Sequence, residues 1–374
     1  MGVKMGQKAC PYCQGKKIRR YGYKKVEVKT LRGKQVQKRQ RYYCNECQKS
    51  FSHNTWNKRK RHSENFIKKT VQLYIESKAS SREVAKLMQI DQSTIVRWVN
   101  QYGQVCLNTA QTNDKLKPKW RGIIGIDGKV IHVGGSKKAC LLATDLATVD
   151  IAHFSLAESE DESGCRAFLL GLEKELSSLK GIVSDLGRGK VWLKLVAEIF
   201  PDIPHQACIV HFERYIDQIL PKSEKCSHYH QNQLLRTLIK QLLYATSFND
   251  AEEIFTRLMR LNHYFKADYQ RSVLKSLKNH FDLLTAHFHN PGLERTNNIT
   301  ENIIKQLDRK IFLLSDFSSS QSAYSFLNLW VLSYRFKPLS SSSFTFRNGF
   351  SPLSLAGVKT DHINWLDFGL FCNT

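Results

Sequence analysis

Nowhere in the 374 residues is there a run of about 18 uncharged apolar residues, so no transmembrane helix is expected. The first residues, Met-Gly-Val-Lys-Met-Gly-Gln-Lys-Ala-Cys10, carry charge but no apolar stretch behind it, which argues against a secretory signal. The ten cysteines lack the dense, regular spacing of a secreted disulfide scaffold, and a reducing, intracellular compartment fits them better. Acids are nearly missing from the start of the chain. Residues 1–62 hold 19 Lys and Arg against Glu27 and Glu46, a net of +17 out of +24 for the whole protein. A segment so basic should bind nucleic acid in a salt-dependent way, because its cations release counterions condensed on phosphates. A solubilising or membrane-surface tail is the plain alternative, and ordered-looking cysteines and aromatics in the segment weigh against it.

Those cysteines form two knuckles, Cys10-Pro-Tyr-Cys13 and Cys44-Asn-Glu-Cys47. Four thiolates so spaced can wrap one tetrahedral Zn²⁺. Between the knuckles, Lys24–Thr30 and Gln35–Tyr43 alternate as strands around Leu31-Arg-Gly33. The expectation is a zinc ribbon over 1–62, with structural zinc supplying folding energy that so few apolar residues cannot. A redox Cys-x-x-Cys pair is the competing reading.

Residues 63–104 are expected to form a helix-turn-helix. Ile67, Val71, Tyr74 and Ile75 make one apolar stripe, and Ser80-Ser-Arg-Glu83 reads as a capping box. After the turn Gln89-Ile-Asp91, the periodicity of Ile95, Trp98, Val99 and Tyr102 predicts a recognition helix over 92–102. Gln92, Ser93, Thr94, Arg97 and Asn100 are its candidate DNA-binding residues. A small helical hairpin without DNA contacts is the alternative. The polar stretch 105–119 reads as a linker.

From Trp120 the character changes to α/β. Gly122-Ile-Ile-Gly-Ile-Asp127 reads as a strand ending in an acid, followed at Gly128 by a tight turn and a second strand, Lys129–Val133. Further strands are expected at Lys138–Thr144 and Asp150–Ser155, a helix at Gly164–Leu176, and a buried strand, Gly181-Ile-Val-Ser-Asp185, again ending in an acid. This is the order of a ribonuclease H-like fold. A helix is expected at Gly189–Phe200, and residues 215–290, which hold no glycine, read as a helical insertion. Asp145 reads as structural and Glu158–Glu162 as a solvated acidic loop. An apolar helix over Phe326–Arg335 should pack on the sheet, with 336–374 as a capping segment.

The ribbon, with Phe51 after its second knuckle, resembles the heads of many prokaryotic insertion-sequence transposases. Ser184-Asp185-Leu186-Gly187 followed by Phe200-Pro201, His205, Cys208 and His211, in the pattern F-P-x-x-x-H-x-x-C-x-x-H, resembles the Mutator-like transposases. Leu186 stands where that family usually has Gly. Thr296-Asn-Asn-Ile-Thr-Glu301 resembles the family's N-x-x-E motif, and Arg347-Asn-Gly-Phe-Ser-Pro352 the closing segment of many insertion-sequence transposases. The resemblance covers about residues 120–335. It implies an aspartate-aspartate-glutamate catalytic set of Asp127, Asp185 and Glu301 holding two Mg²⁺ or Mn²⁺ ions, Asp127 shared and the other two serving one ion each. It places Cys208, His211 and Lys305 as support for that site; for Cys208 and His211, half of a metal site or plain core packing are the other readings.

The expected function is that of a DNA transposase acting on double-stranded DNA, both element ends and target. It would bind terminal inverted repeats, cleave strands and transfer them, as a homodimer on paired ends, without membrane or small-molecule substrate, in the nucleoid-associated cytoplasm of a prokaryote. Phosphodiester attack needs hard cations, and carboxylates are their ligands. A DNA-binding regulator with a transposase-derived body is the second reading, and a ribonuclease H-like junction nuclease the third. Glu294 competes with Glu301 for the third acid.

Overall fold

Alternation in the basic N-terminal stretch becomes a long hairpin in the computed structural model, which describes residues 9–52, 62–176, 178–186, 191–314, 316–340, 342 and 344–370. Strand β1 (Ile18–Thr30) pairs antiparallel with β2 (Gly33–Cys44), which pairs with the short β3 (Ser50–Phe51). The register runs from Ile18 opposite Cys44 to Thr30 opposite Gly33, interrupted by a bulge between Arg20 and Tyr23. The strands therefore extend beyond the expected limits. A small cluster of Cys10, Cys44 and Phe51 is buried here, packed by Ile18, Tyr42 and Cys47, and Val28 is buried further along β1. Such a core is too small to hold a hairpin in water without a further constraint.

The chain divides into two compact units, residues 1–77 with 82–98, and residues 78–81 with 99–374. In the first unit, the ribbon is followed by α1 (Glu64–Glu76), whose Ser63 side chain accepts from the Phe66 N–H at 3.2 Å. Next come α2 (Ser81–Met88) and α3 (Gln92–Val105). Ile67, Val71, Tyr74, Ile75, Ile95, Trp98 and Val99 are buried, as the helical stripes predict, and Phe66 and Val84 are buried as well. Lys29 Nζ donates to the carbonyls of Met88 and Gln89, at 2.9 and 2.8 Å. Residues 105–119 carry a helix, α4 (Thr109–Leu116), with a capping box made by Asn108 and Gln111.

The second unit is built on a five-stranded sheet. Its strands are β4 (Ile123–Val133), β5 (Ser136–Asp145), β6 (Asp150–Ala157), β7 (Gly181–Ser184) and β8 (His205–Ala207), in the order β6-β5-β4-β7-β8. The first three are antiparallel neighbours; β7 and β8 run parallel to β4. One expectation fails here. Ile123–Val133 is a single strand, unbroken at Gly128, which pairs with Leu141 within a continuous register from Ile124 to Val133. The acid thus stands in mid-strand. The reason is that pairing with β5 satisfies the backbone on both sides of the glycine, and no turn is needed.

Helices α5 (Glu162–Glu175) and α6 (Val191–Ile199) cover one sheet face through Phe168, Leu169, Leu172, Trp192, Leu195 and Val196, packed on Ile124 and Ile126. The expected start of α6 at Gly189, like Gly187 of the acid-bearing turn, lies outside the described residues. After β8 come α7 (Ile209–Ile219), α8 (Tyr229–Leu243), α9 (Phe248–Arg260) and α10 (Asp268–His289). They enclose a separate core that includes Phe212, Ile216, Leu235, Ile239, Leu277 and Phe281. Then α11 (Asn298–Ile311) returns to the sheet, and α12 (Ser320–Phe336) is buried over most of its length. Within α12, Arg335 makes a two-pronged pair with Asp150, at 2.8 and 2.9 Å, both side chains fully buried. Short helices α13 (Pro352–Leu355), capped by Ser351, and α14 (Trp365–Leu370) end the described chain.

Candidate active site

Side chains alternate along a strand, so Gly125 and Asp127 share one face of β4, opposite Ile124 and Ile126. Strand β7 pairs with β4 in parallel, with Val183 opposite Gly125. Asp185 follows Ser184, the last residue of β7, so the two aspartates come from adjacent strands. This juxtaposition has an electrostatic signature. Burial pushes the Asp127 carboxyl up to about 7, the charge of Asp185 adds to the push, and Glu160 and Glu301 add smaller amounts; the Gly128 N–H, which donates to Asp127 Oδ1 at 2.7 Å, opposes it.

The end of β7 is braced from β8. Ser184 Oγ and His205 Nε2 are 2.8 Å apart, and Ser184 Oγ donates to the Asp185 carbonyl, also at 2.8 Å. Burial lowers the His205 pKa to about 4, so this imidazole is neutral at physiological pH. His205 is accordingly a brace for the acid-bearing strand end.

The third acid arrives on α11, and a glycine lets it. A Cβ on Gly125 would lie 2.2 Å from Asn297 Oδ1 and 2.3 Å from Thr300 Oγ1. The first turn of α11 therefore rests directly on the β4 backbone, on the face that carries Asp127. Asn297 fixes the approach: its Nδ2 donates to the Ile126 carbonyl at 2.8 Å, and its backbone N–H donates to Cys208 Sγ at 3.3 Å. Lys129 Nζ and Asp308 Oδ1, 2.8 Å apart, tie the same helix to the same strand further on. Glu301 is buried in this interface, with an 11% exposed side chain.

Three basic side chains surround Glu301. Arg214 of α7 engages both carboxylate oxygens, through Nη1 to Oε1 and Nη2 to Oε2. His211 Nε2 lies 3.1 Å from Oε1, and Lys305 Nζ donates to Oε2 at 3.2 Å. Burial would raise the Glu301 pKa, but the hydrogen bonds from Arg214 and Lys305 and the charges around it outweigh burial and lower it. Burial lowers the His211 pKa too, and its Nδ1 is buried without a partner, which leaves Nε2 as the nitrogen that donates to Glu301. Cys208 and His211 thus both serve α11, one through the Asn297 N–H and one through Glu301. Arg214 was not singled out by the sequence reading. Its signal was present as the three-residue spacing Cys208, His211, Arg214, which aligns all three near one face of α7.

Glu294 lies in the segment before α11, outside the helix. Asp145 is structural: its carboxylate accepts from the Gly122 N–H, the Thr148 N–H and the Thr148 hydroxyl. The acidic loop 158–162 is exposed, as its composition suggests, and its acids make local contacts. Glu158 pairs with Lys138, Asp161 caps α5 through the Gly164 N–H at 2.9 Å, and Glu162 pairs with Lys194 at 2.9 Å. Glu160 accepts from the buried Trp192 indole N–H at 2.8 Å.

On α3, Gln92, Ser93 and Arg97 are exposed and Asn100 is half-buried. Thr94 is the exception among the candidate DNA-binding residues. It is buried with Ile95, Trp98 and Val99, because residues 94 and 98 fall one turn apart on the packed face.

Metal fit can be judged separately for the two proposed centres. The Sγ atoms of Cys10, Cys13, Cys44 and Cys47 all lie within 4.8 Å of one another. That suits tetrahedral Zn²⁺, whose Zn–S bonds are about 2.3 Å. Burial raises the Cys10 thiol, but backbone N–H groups of Tyr12 and Cys13 outweigh it and lower it, while the neighbouring thiols help raise Cys13 and Cys47, a crowding that a bound cation would relieve. Among the described residues, no other set of three or more such groups converges within that distance. Asp127, Asp185 and Glu301 are therefore more widely spread, with Glu301 drawn to Arg214. Even so, the first two carboxylates repel one another at a buried site, a repulsion that a divalent cation relieves, and oxygen donors suit Mg²⁺ or Mn²⁺.

No curated protein sequence matches the chain. Among solved structures, it is similar to the Drosophila P element transposase of a strand transfer complex, at 11% identity and a TM-score of 0.41, over 75% of this chain and 92% of that one. A chain of the simian T-cell lymphotropic virus intasome in complex with the PP2A regulatory subunit B56 gamma is similar at 13% identity and a TM-score of 0.22, over 60% of this chain and 76% of that one. The family model described as "Transposase, Mutator family" matches residues 13–328. That is well over half of the sequence, and the chain belongs to the Mutator family of transposases.

Proposed function

We propose that this transposase is of the aspartate-aspartate-glutamate type, with Asp127, Asp185 and Glu301 as the ligands of two Mg²⁺ or Mn²⁺ ions. The reading is supported by the parallel pairing of β4, which bears Asp127, with β7, which precedes Asp185, by the Asp185 charge felt at Asp127, and by α11 seated on Gly125. When bound, the two ions activate the attacking oxygen and stabilise the leaving oxygen of a phosphodiester. The protein's own part is positional. His205 and Ser184 hold the strand end that carries Asp185, Asn297 and Gly125 seat α11, and Arg214, His211 and Lys305 hold Glu301 ionised.

The body is read as ribonuclease H-like, extending over about 120–335, with α7–α10 as its helical insertion and 336–374 as a cap. The head is read as a zinc ribbon over 1–62 and a helix-turn-helix over 63–104. On this reading Gln92, Ser93, Arg97 and Asn100 face the terminal inverted repeats of an insertion sequence, and the basic ribbon grips adjacent phosphates. Arg19 over Tyr43 and Arg41 over Tyr21, 5.1 and 5.3 Å from the ring centroids, hold guanidinium groups beside the strands. Joining two ends requires two such chains, so the active form is a homodimer on paired ends. Its setting is the nucleoid-associated cytoplasm of a prokaryote.

The test is strand cleavage and transfer on a duplex that contains an element end, with Mg²⁺, for the native protein and Asp185→Ala. Acid-dependent product supports the reading. Product that survives Asp185→Ala refutes it, and binding without any product in either protein favours a DNA-binding regulator.

A further inference from the structure

A cavity of about 280 Å³ lies in the second unit, between α11, the end of α12 and the segment 339–347 that follows it. Asn302, Lys305, Gln306 and Arg309 line it at helical spacing along α11, and Tyr334, Phe344 and Arg347 stand in the other walls. Three of its lining side chains are cations and none is an acid. Positions 341 and 343, outside the described residues, are serines and bring no charge.

Arg347 is 7% exposed. Its Nη2 donates to the Leu146 carbonyl at 3.2 Å, and its guanidinium lies 4.5 Å from the Phe344 ring centroid. Its Nε is buried without a hydrogen-bond partner. Glu294 and Asp145 act on it only through their charge, without an ion pair. Arg309 is exposed and likewise pairs with no carboxylate, although every Asp and Glu of the chain is among the described residues. A guanidinium withdrawn from water is unfavourable unless an anion meets it, so the cavity suits an anion. The aromatic wall narrows which one. Phe344 and Phe346 are 50% and 66% exposed, with ring centroids 6.1 Å apart. Leu339 pins the base of their loop: its N–H donates to the Phe350 carbonyl and its carbonyl accepts from the Gly349 N–H, both at 2.9 Å. Exposed rings beside cations are the surface on which unstacked nucleobases rest, whereas an inorganic anion gains nothing from them. The amides of Asn302 and Gln306 can both donate to and accept from a base edge.

Resting on Glu301 as the third acid, we propose that this cavity is a nucleotide subsite. It takes one unstacked nucleotide of the DNA strand being processed, with the phosphate between Arg309 and Arg347 and the base against Phe344. Lys305 joins the subsite to the reaction centre, because the same side chain lines the cavity and donates to Glu301. A strand held here is anchored one side chain away from the acid that α11 carries.

The probe is 5-iodo-2′-deoxyuridine 3′,5′-bisphosphate, which carries both phosphates of one nucleotide and cross-links to aromatic rings under ultraviolet light. It is titrated into zinc-loaded full-length protein without Mg²⁺, and the cross-linked peptides are mapped by mass spectrometry. The native protein should cross-link saturably at Phe344 or Phe346. Arg309→Gln, checked for native circular dichroism, should raise the half-saturating concentration about 10-fold by removing one charge-assisted phosphate contact. Arg309→Lys, which restores the charge, should recover most of that loss. Inorganic phosphate should compete about 10-fold more weakly than thymidine 3′,5′-bisphosphate, because it lacks the base. Cross-links confined to the ribbon, or the same half-saturation in native and Arg309→Gln, overturn the subsite. Equal competition by inorganic phosphate makes the cavity a site for free anions and overturns the nucleotide assignment. Neither metal nor turnover enters this experiment, so each of these failures leaves the three-acid reading standing; that reading falls separately, if strand cleavage survives Asp185→Ala.

Discussion

Replacing Asp127 with Asn should stabilise the protein in the absence of Mg²⁺, most of all at neutral or higher pH. Asn keeps the side-chain shape and an oxygen that accepts from the Gly128 N–H, while the charge is removed. Burial first, and the charge of Asp185 second, raise the Asp127 carboxyl from 3.8 to about 7. A raised acid contributes its full share of stability below the unfolded value and loses it as pH rises through the folded one. At 1.36 kcal/mol per pH unit, the raised carboxyl costs the folded state about 4 kcal/mol at pH 8, where it is ionised, and about 1.5 kcal/mol at pH 5, where it is held protonated, as upper limits. Against a total stability of roughly 5–15 kcal/mol, the larger figure is easily measured. Urea unfolding of zinc-loaded, Mg²⁺-free native protein and Asp127→Asn at the two pH values gives the comparison. The variant should be the more stable at pH 8, with most of the difference gone at pH 5. Saturating Mg²⁺ should stabilise the native protein and help the variant less, because binding to the folded state adds stability by mass action. A variant no more stable than native at pH 8, or equally advantaged at both pH values, would refute the crowded-acid account.

Other outcomes are expected across the molecule. Gly125→Ala should displace the first turn of α11 at a cost of about 1–3 kcal/mol, and a variant that keeps both native stability and native Mn²⁺ affinity would show that the close approach is unimportant. Cys44→Ser should abolish bound zinc and unfold the ribbon; metal analysis showing an unchanged zinc content would sink the ribbon assignment. His205→Ala should cost about 1–3 kcal/mol by stranding the Ser184 hydroxyl, and should lower strand cleavage through Asp185; native cleavage rates would remove His205 from the bracing role. Arg97→Ala should reduce discrimination for the element end by about 1–3 kcal/mol if Arg97 reads a guanine, whereas equal losses on specific and random DNA would make it a phosphate contact.

Much of this architecture was legible in residue periodicity. The two cysteine knuckles, the stripes of α1 and α3, and the apolar runs ending near Asp127 and Asp185 all have local spacings that report local structure. The misread places are those where a long-range contact overrides a local signal. Gly128 looks like a turn, yet pairing with Leu141 carries β4 straight through it. Thr94 looks like a polar helix residue, yet its position beside Ile95 and Trp98 buries it. Residues 105–119 look like linker, yet Asn108 and Gln111 cap a helix there, and Asn113 donates to the Ala152 carbonyl at 3.0 Å. In the site, periodicity identifies which residue types can do the chemistry but not what surrounds them. Arg214 reaches Glu301 across 87 residues, and Asn297 reaches Ile126 across 171.

Glu301 is the acid whose place depends most on the fold, because it reaches the strand-borne aspartates only after the whole helical insertion. The decisive measurement is therefore Mg²⁺-dependent strand cleavage of an end-containing duplex by native protein, Glu301→Gln and Glu294→Gln. The account predicts that Glu301→Gln binds DNA and cleaves none of it, while Glu294→Gln cleaves normally. Cleavage by Glu301→Gln, or its loss in Glu294→Gln alone, would contradict the assignment of the third acid.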